Sequence, residues 1–296
     1  MMAIDEAVLI EPQRLVWPGS WAGHIPFASW LVAVLRPDVL VELGTHTGNS
    51  YGAFCQAITE NKLATRAYAV DTWRGDEHAG TYDESVFLDL KKYHDPLYGA
   101  FSTLLRMTFD EAAERFPDGS VDLLHIDGLH TYEAVKHDFK NWLPKVSARG
   151  VVLFHDTNVY EATFGVHRLW AEVSQQYPGF NFEHSHGLGV LLVGEQRRPE
   201  LLEMAESAQP NEKWLSGSRL FRGLGASIER RAQIVDMGKD LSERDARIAD
   251  LNQAVSDRDA HIGNLTQAVG QRDAQLVAHR NTISWRITKP LRLFGR

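Results

Sequence analysis

The chain has 296 residues, 44% of them hydrophobic, and a formal net charge of −8. Such a chain can pack one sizeable α/β domain plus an appendage, and the absence of a basic cluster in its first 200 residues argues against nucleic acid as the main partner. Cys55 is its single cysteine, which excludes an internal disulfide and a cysteine-based zinc site and suits a reducing, cytoplasmic setting. The opening residues MMAIDEAVLIEPQRL carry acids early and do not read as a secretory signal. No apolar run approaches the roughly 20 residues that span a bilayer, so a soluble protein is expected, attached at most to the inner face of a membrane.

In chain order, Trp21 to Leu35 is apolar and helix-compatible and stops before Pro37. Val39 to Leu43 is of strand length, and Ser50 to Ile58 reads as a helix. Ala67 to Val70 is a second strand, Asp83 to Tyr93 a helix, Thr103 to Met107 a third strand and Phe109 to Phe116 a short helix. Val121 to Ile126 is a strand, Tyr132 to Trp142 a helix ended by Pro144, Gly150 to Phe154 a strand and Phe164 to Tyr177 a helix. Phe180 to His184 and Gly189 to Val193 form an antiparallel pair around a Ser-His-Gly-Leu turn. Alternating strands and helices imply a mostly parallel sheet covered on both faces.

From about residue 195 the composition changes. Residues 196–233 read as a connector with some helix, and 234–284 as a coiled coil. A 14-residue unit recurs there as ERDARIADLNQAVS, DRDAHIGNLTQAVG and QRDAQLVAHRNTIS. Ile234, Leu241, Ile248, Val255, Ile262, Val269, Leu276 and Ile283 follow one another at intervals of seven. The companion seam alternates Leu251 and Leu265 with Arg244, Arg258 and Arg272. That is a heptad pattern with one strong and one weak seam, and it predicts a homo-oligomer. Residues 285–296 form a basic tail with aromatic residues, suited to an anionic membrane surface.

The string Glu42-Leu43-Gly44-Thr45-His46-Thr47-Gly48-Asn49-Ser50 joins the first strand to its helix. Glycines at 44 and 48 allow a sharp turn and a close ligand approach, and the free N–H groups of the following helix suit an anionic group. The G-x-G-x-x-G spacing of dinucleotide enzymes is absent. The loop instead resembles the E/D-x-G-x-x-x-G loop of methyltransferases. With Asp71 closing the next strand to take the ribose hydroxyls, the resemblance implies S-adenosylmethionine on Glu42, Gly44, Thr45, Gly48, Asn49, Ser50 and Asp71.

Two further strands end in ionisable residues, His125-Ile126-Asp127-Gly128-Leu129-His130 and His155-Asp156. Ligands of open parallel sheets bind beyond the carboxyl ends of the strands, so Asp71, Asp127, His130, His155 and Asp156 should converge on one crevice. Clustered carboxylates favour a cation, and oxygen ligands with an imidazole suit Mg²⁺, Mn²⁺ or Fe²⁺. His130 and His155 are candidates to take a proton from an acceptor hydroxyl. His125 reads as a core or supporting residue, His137 as solvated or paired, and His184 and His186 as near the substrate side. Trp73 packs over the pocket or in the core.

The segments AVDTWRGDEHAGTYDESVF (69–87), HIDGLHTYEAVKHDFKNWLPK (125–145) and GVVLFHDTN (150–158) resemble class I methyltransferases of bacterial glycan and antibiotic gene sets. Similar layouts occur in macrolide sugar O-methyltransferases and the cephalosporin hydroxylase group. The resemblance covers about residues 20 to 195. It implies a Rossmann-like α/β domain over 1–195, with a seven-stranded, mostly parallel sheet and a terminal antiparallel hairpin. It also implies a divalent metal on a carboxylate after the fourth strand and an acidic pair after the fifth. Asp127 and Asp156 match; His155 stands where several relatives have Glu. The implied reaction is O-methylation of a sugar or glycan, with a metal-dependent hydroxylase or a non-catalytic assembly protein as the alternatives. The string SWRITKPLR (284–292) looks like the ends of polysaccharide glycosyltransferases, which implies one as a partner.

Overall fold

In a computed structural model of the chain, residues 6–16, 18–76, 80–161, 163–205 and 212–288 are described. The chain divides into two units, residues 1–236 and 237–296.

The first unit is Rossmann-like. In chain order it contains α1 (Ile25–Leu35), β1 (Val39–Leu43), α2 (Asn49–Glu60), β2 (Arg66–Asp71), β3 (Gly75–Asp76), β4 (Gly80–Thr81) and α3 (Glu84–Tyr98). There follow β5 (Ser102–Arg106), α4 (Phe109–Ala113), β6 (Val121–Ile126), α5 (Tyr132–Trp142), β7 (Val146–His155), α6 (Val166–Val173), β8 (Gly179–Phe182), β9 (Leu188–Leu192) and α7 (Pro199–Ala205). The large sheet has the order β5-β2-β1-β6-β7-β9-β8, and β3 and β4 make a separate ribbon. The first five strands in that order are parallel; β9 runs antiparallel to both β7 and β8.

Side chains alternate across a strand, and here the alternation divides two cores. Leu40, Leu123 and Leu153 point into the core that also holds Trp30, Phe54 and Phe221. Val41, Leu124 and Val152 point into the opposite one with Phe139, Trp142 and Leu169. Both faces of the central strands are therefore buried, and β1 and β6 are largely apolar, broken by the buried Glu42, Asp122 and His125. α5 begins where Thr131 caps it, its side chain accepting from the Ala134 N–H.

Several boundaries differ from the sequence reading. α3 runs on through Pro96 to Tyr98, with the proline in its last turn, where only the bond to the Lys92 carbonyl is lost. β7 starts at Val146 rather than Gly150. Its polar opening is held by Asp122, which accepts from the Ser147 hydroxyl at 2.6 Å and from Arg149 Nε at 3.0 Å. α6 is shorter than the span 164–177.

Residues following the hairpin belong to the first unit and pack into its core. Leu201, Met204, Phe221 and Ile228 are buried, and a Cβ on Gly225 would meet the Gly23 carbonyl oxygen at 2.0 Å. These residues lie on α7 and on the start of α8 (Glu212–Arg280). Within the second unit α8 continues as one helix, followed by α9 (Ile283–Ile287). Its heptad residues are exposed, Ile248 by 55% and Ile262 by 59%, and the helix fits a coiled coil. From residue 289 the basic tail lies outside the described residues. Among the described residues no helix is long and apolar enough to cross a membrane.

Asp138 on α5 is buried, and burial pushes its carboxyl up to about 7, against roughly 3.9 for a free aspartate. The folded state thus holds this proton more tightly than the unfolded chain does. The associated stability is present below about pH 4 and is lost as pH rises through about 7. Asp138→Asn should therefore gain stability over wild type progressively between pH 5 and pH 8. Urea midpoints that shift in parallel for the two proteins across that range would show that the carboxyl is not the cause.

Candidate active site

Gly44, at the end of β1, has φ +87°, and a Cβ there would lie 2.0 Å from the Asp127 backbone oxygen. Only glycine lets the β1 and β6 ends approach so closely. Gly48, φ +81°, is the N-cap of α2. The turn between them is fixed from below by Asp71: Oδ2 accepts from the N–H groups of Thr45 at 3.0 Å and His46 at 2.9 Å, and Oδ1 from Trp73 N–H at 2.7 Å. Asp71 thus shapes the loop as well as facing a cavity.

Asn49 clamps the N-terminal segment. Its Oδ1 accepts from the Val16 N–H, and its Nδ2 donates to Val16 and Pro18 carbonyls. Arg14 adds a bond from Nε to the Thr47 oxygen at 2.7 Å and an ion pair to Asp89. This strap brings Pro18, Ser20 and Trp21 to the cavity wall. Glu42 is fully buried. Trp21 Nε1 donates to His125 Nε2, so that nitrogen is the acceptor and His125 Nδ1–H donates to Glu42 Oε2 at 2.8 Å. Burial raises the Glu42 pKa, and the His125 bond offsets part of that rise. His125 is thereby a supporting residue. Trp73 is buried against Phe87, and its Nε1 donates to the His46 oxygen.

The acids and imidazoles meet at the carboxyl ends of β6 and β7. His130 Nε2 lies 2.8 Å from Asp156 Oδ2 and 3.7 Å from Asp127 Oδ1. His155 Nδ1 lies 3.2 Å from Asp127 Oδ1 and 3.3 Å from Asp156 Oδ2. Its Nε2–H donates to the Ser185 carbonyl, which also accepts from His24 Nε2–H. Burial works against charging His130, yet the bonds and charges of Asp127 and Asp156 outweigh it and raise its pKa to about 9. His155 is raised well above its usual value in the same way, against its own burial. Burial alone would raise both acids. The charge of His155 and the bonds from His130 instead hold them well below the usual carboxylate range.

Asp127, His130 and Asp156 each offer a ligand atom, all within 4.8 Å of one another, and could hold a divalent cation. His155 sits beside this trio with one nitrogen on the Ser185 carbonyl and the other against the carboxylates.

A cavity of about 370 Å³ joins the loop to the cluster; Gly44, Thr45 and Ser50 line one side, and His130, His155 and Asp156 the other. A second cavity, of about 230 Å³, opens beside it on Asp71, Thr72, Thr108 and Phe109. Gly44, His46, Tyr82, Asp127 and Gly128 line both. Thr45 Oγ1 is buried with no hydrogen-bond partner among the described residues, which suits a ligand that brings one. The two cavities together form an elongated site.

Tyr82, Phe109 and Phe164 were not legible as site residues, since none closes a strand. Tyr82 stacks on His46 at 4.3 Å and Phe164 on His130 at 4.8 Å. His186 lines the larger cavity, with Nδ1 3.4 Å from Asp156 Oδ1, whereas His184 turns away and donates to the Gly23 oxygen. His137 is exposed and paired with Asp110. His46, Trp73, Asp156, Ser185 and His186 all have φ between +49° and +68°. Backbone strain of this kind gathers at functional sites.

Residues 41–157, from within β1 to just beyond β7, match the family described as a methyltransferase domain. The chain is 48% identical over 213 residues to the "Uncharacterized protein y4gI" of Sinorhizobium fredii (strain NBRC 101917 / NGR234), a match covering 72% of this chain and 23% of that protein. The chain thus spans about a quarter of the length of that relative. Among solved structures it is similar to a putative caffeoyl-CoA O-methyltransferase from Staphylococcus aureus, at 14% identity, 56% of this chain, 80% of that one and a TM-score of 0.44. It is also similar to the SAH-bound methyltransferase PaMTH1 from Podospora anserina, at 12% identity, 57% and 76% coverage and a TM-score of 0.44.

Gly44→Ala tests the loop. The added Cβ meets backbone that cannot rotate away, whereas Gly119, φ +69°, has nothing within 4 Å of the same atom. Gly119→Ala should cost only the roughly 1–2 kcal/mol of left-handed backbone, a few degrees of melting temperature. Gly44→Ala should lose clearly more by calorimetry; equal losses would remove the close approach as the reason for glycine.

Proposed function

We propose that the chain is an S-adenosylmethionine-dependent O-methyltransferase acting on a sugar hydroxyl of a polysaccharide or glycoside. The observation that carries this reading is the shared cavity. The Gly44–Ser50 loop and the Asp127–His130–Asp156 cluster face one another across it. Cofactor and acceptor can therefore be held side by side, where positioning alone lowers the barrier.

Gly44, Thr45, Gly48 and Ser50 would hold the amino-acid end of the cofactor, with Glu42 setting the loop from behind. Asp71, with one lone pair of Oδ1 still open, would take the ribose, and Phe109 and Thr108 the base. Bound there, the sulfonium supplies an electrophilic methyl group. Tyr82 and His46 cover the passage between the two cavities and help keep water out.

On the acceptor side, a sugar hydroxyl needs help to lose its proton near neutral pH. His130, raised to about 9, is charged there and orients hydroxyls as a donor. It becomes a proton acceptor once the charge of Asp127 and Asp156 is taken up. A divalent ion on Asp127 and Asp156 would supply that neutralisation and acidify a bound hydroxyl, leaving His130 to accept the proton. His155, wedged against both carboxylates, keeps them aligned; we assign it a positioning role. His186 and Phe164 are the walls a sugar ring would meet.

Methyl transfer from radiolabelled S-adenosylmethionine to isolated surface glycans and glycosylated metabolites, in metal and in chelator, tests the proposal. Label should enter a base-stable ether linkage, fall in chelator and return with Mg²⁺ or Mn²⁺. His130→Ala should lower turnover by roughly 10²–10⁴-fold while leaving cofactor affinity near wild type. Absence of cofactor binding by calorimetry would overturn the whole reading. Binding with full activity in exhaustive chelator would remove only the metal.

A further inference from the structure

α8 carries an exposed apolar seam. Leu241, Ile248, Val255, Ile262, Val269 and Leu276 recur every seven residues on one side of the helix, and each is more than half exposed. Three residues further on, Arg244, Leu251, Arg258, Leu265 and Arg272 alternate, and every arginine is followed at once by an aspartate, Asp245, Asp259 or Asp273. In heptad terms the first series is a, the second d, and the aspartates are e.

Arg258, Arg272 and the three aspartates have no opposite charge at pairing distance within their own helix, whereas Arg244 has Asp240 four residues before it. Side chains pair on a helix at spacings of three or four, not one. Arg258 has Val255, Ala254, His261 and Ile262 at those spacings, and Arg272 has Val269, Ala268, Gln275 and Leu276. Asp259 and Asp273 find no basic residue there either. All six charged groups are exposed, and among the described residues none of them makes an ion pair.

We infer that this seam is occupied by a second copy of the same chain, parallel and in register, with Arg244, Arg258 and Arg272 of each helix paired to Asp245, Asp259 and Asp273 of the other. In a parallel pair a d side chain packs into a hole whose walls include the e residue of the facing helix. Each arginine layer then holds two arginines and two aspartates, and the long arginine stems cover the neighbouring apolar layers. The a layers become pure Ile, Val or Leu. An antiparallel pair would set a against d, and half of those Ile and Val layers would face arginine. β-branched residues at a with Leu at d favour two strands over three, and a trimer would enclose three guanidinium groups per layer. A different protein would need its own aspartates at the same 14-residue interval; this chain already carries them.

Cross-linking of the full chain tests orientation. Leu251→Cys and Leu265→Cys, made singly, should each oxidise to a covalent dimer, while Gln253→Cys on the outer face should not. In an antiparallel pair at most one of the two d positions can meet itself. Cys55 is buried and gives no background. Charge reversal tests the layers. Arg258→Glu with Arg272→Glu should weaken association at least about tenfold in sedimentation equilibrium, and adding Asp259→Arg and Asp273→Arg should restore it. A monomer or trimer mass for the unaltered protein, cross-linking at only one d position, or failure of the second pair of substitutions to restore association would overturn the proposal.

Discussion

Asp127 and Asp156 stand at the ends of two adjacent strands, and their mutual repulsion is the constraint around which the site is arranged. β6 and β7 pair in parallel with Ile126 opposite Phe154, so Asp127 follows beside His155 and Asp156 comes one residue later. Two carboxylates that close and that buried need positive partners. His130 supplies one from the loop after β6 and His155 another from the last position of β7. His155 is then tied to the Ser185 carbonyl, and Ser185 to His24 at the start of α1. The cluster thereby anchors the hairpin turn and the N-terminal helix. A pair of acids set by sheet register thus reaches into three segments far apart in sequence.

The strands and the ends of the strands were readable because burial writes them plainly. β1, β6 and α5 coincide with their sequence reading. The two strands are buried on both faces, and the helix has a threonine cap and a proline shortly after its end. β7 was read four residues short because Ser147 and Arg149 look like a loop until Asp122 is seen to satisfy them. The acids Asp71, Asp127 and Asp156 were singled out by the rule that ligands sit beyond strand ends. The rule is blind to residues that arrive from loops. Tyr82, Phe164 and the Pro18–Trp21 strap line the cavity without any periodic signature, and the left-handed backbone at His46 and His186 has none either.

Asp71 shows how one residue type serves two demands. A carboxylate at the end of β2 faces a cavity, and it also collects the N–H groups that the tight turn after Gly44 would leave unsatisfied. Asn49, expected to hold the cofactor, is found clamping Val16 and Pro18. In both cases the bonds the side chain makes inside the fold have no signature in the sequence.

The strand order carries a consequence for how the chain comes together during synthesis. β9 lies between β7 and β8, although β8 is made first. Until Leu192 has emerged, β7 presents a bare hydrogen-bonding edge of apolar residues, and β8 has nothing to pair with. Edges of that kind recruit foreign strands. The wall that anchors His155 is therefore completed by the last strand to arrive. A ribosome stalled between Phe182 and Leu192 would release a nearly finished sheet that is unusually prone to aggregate.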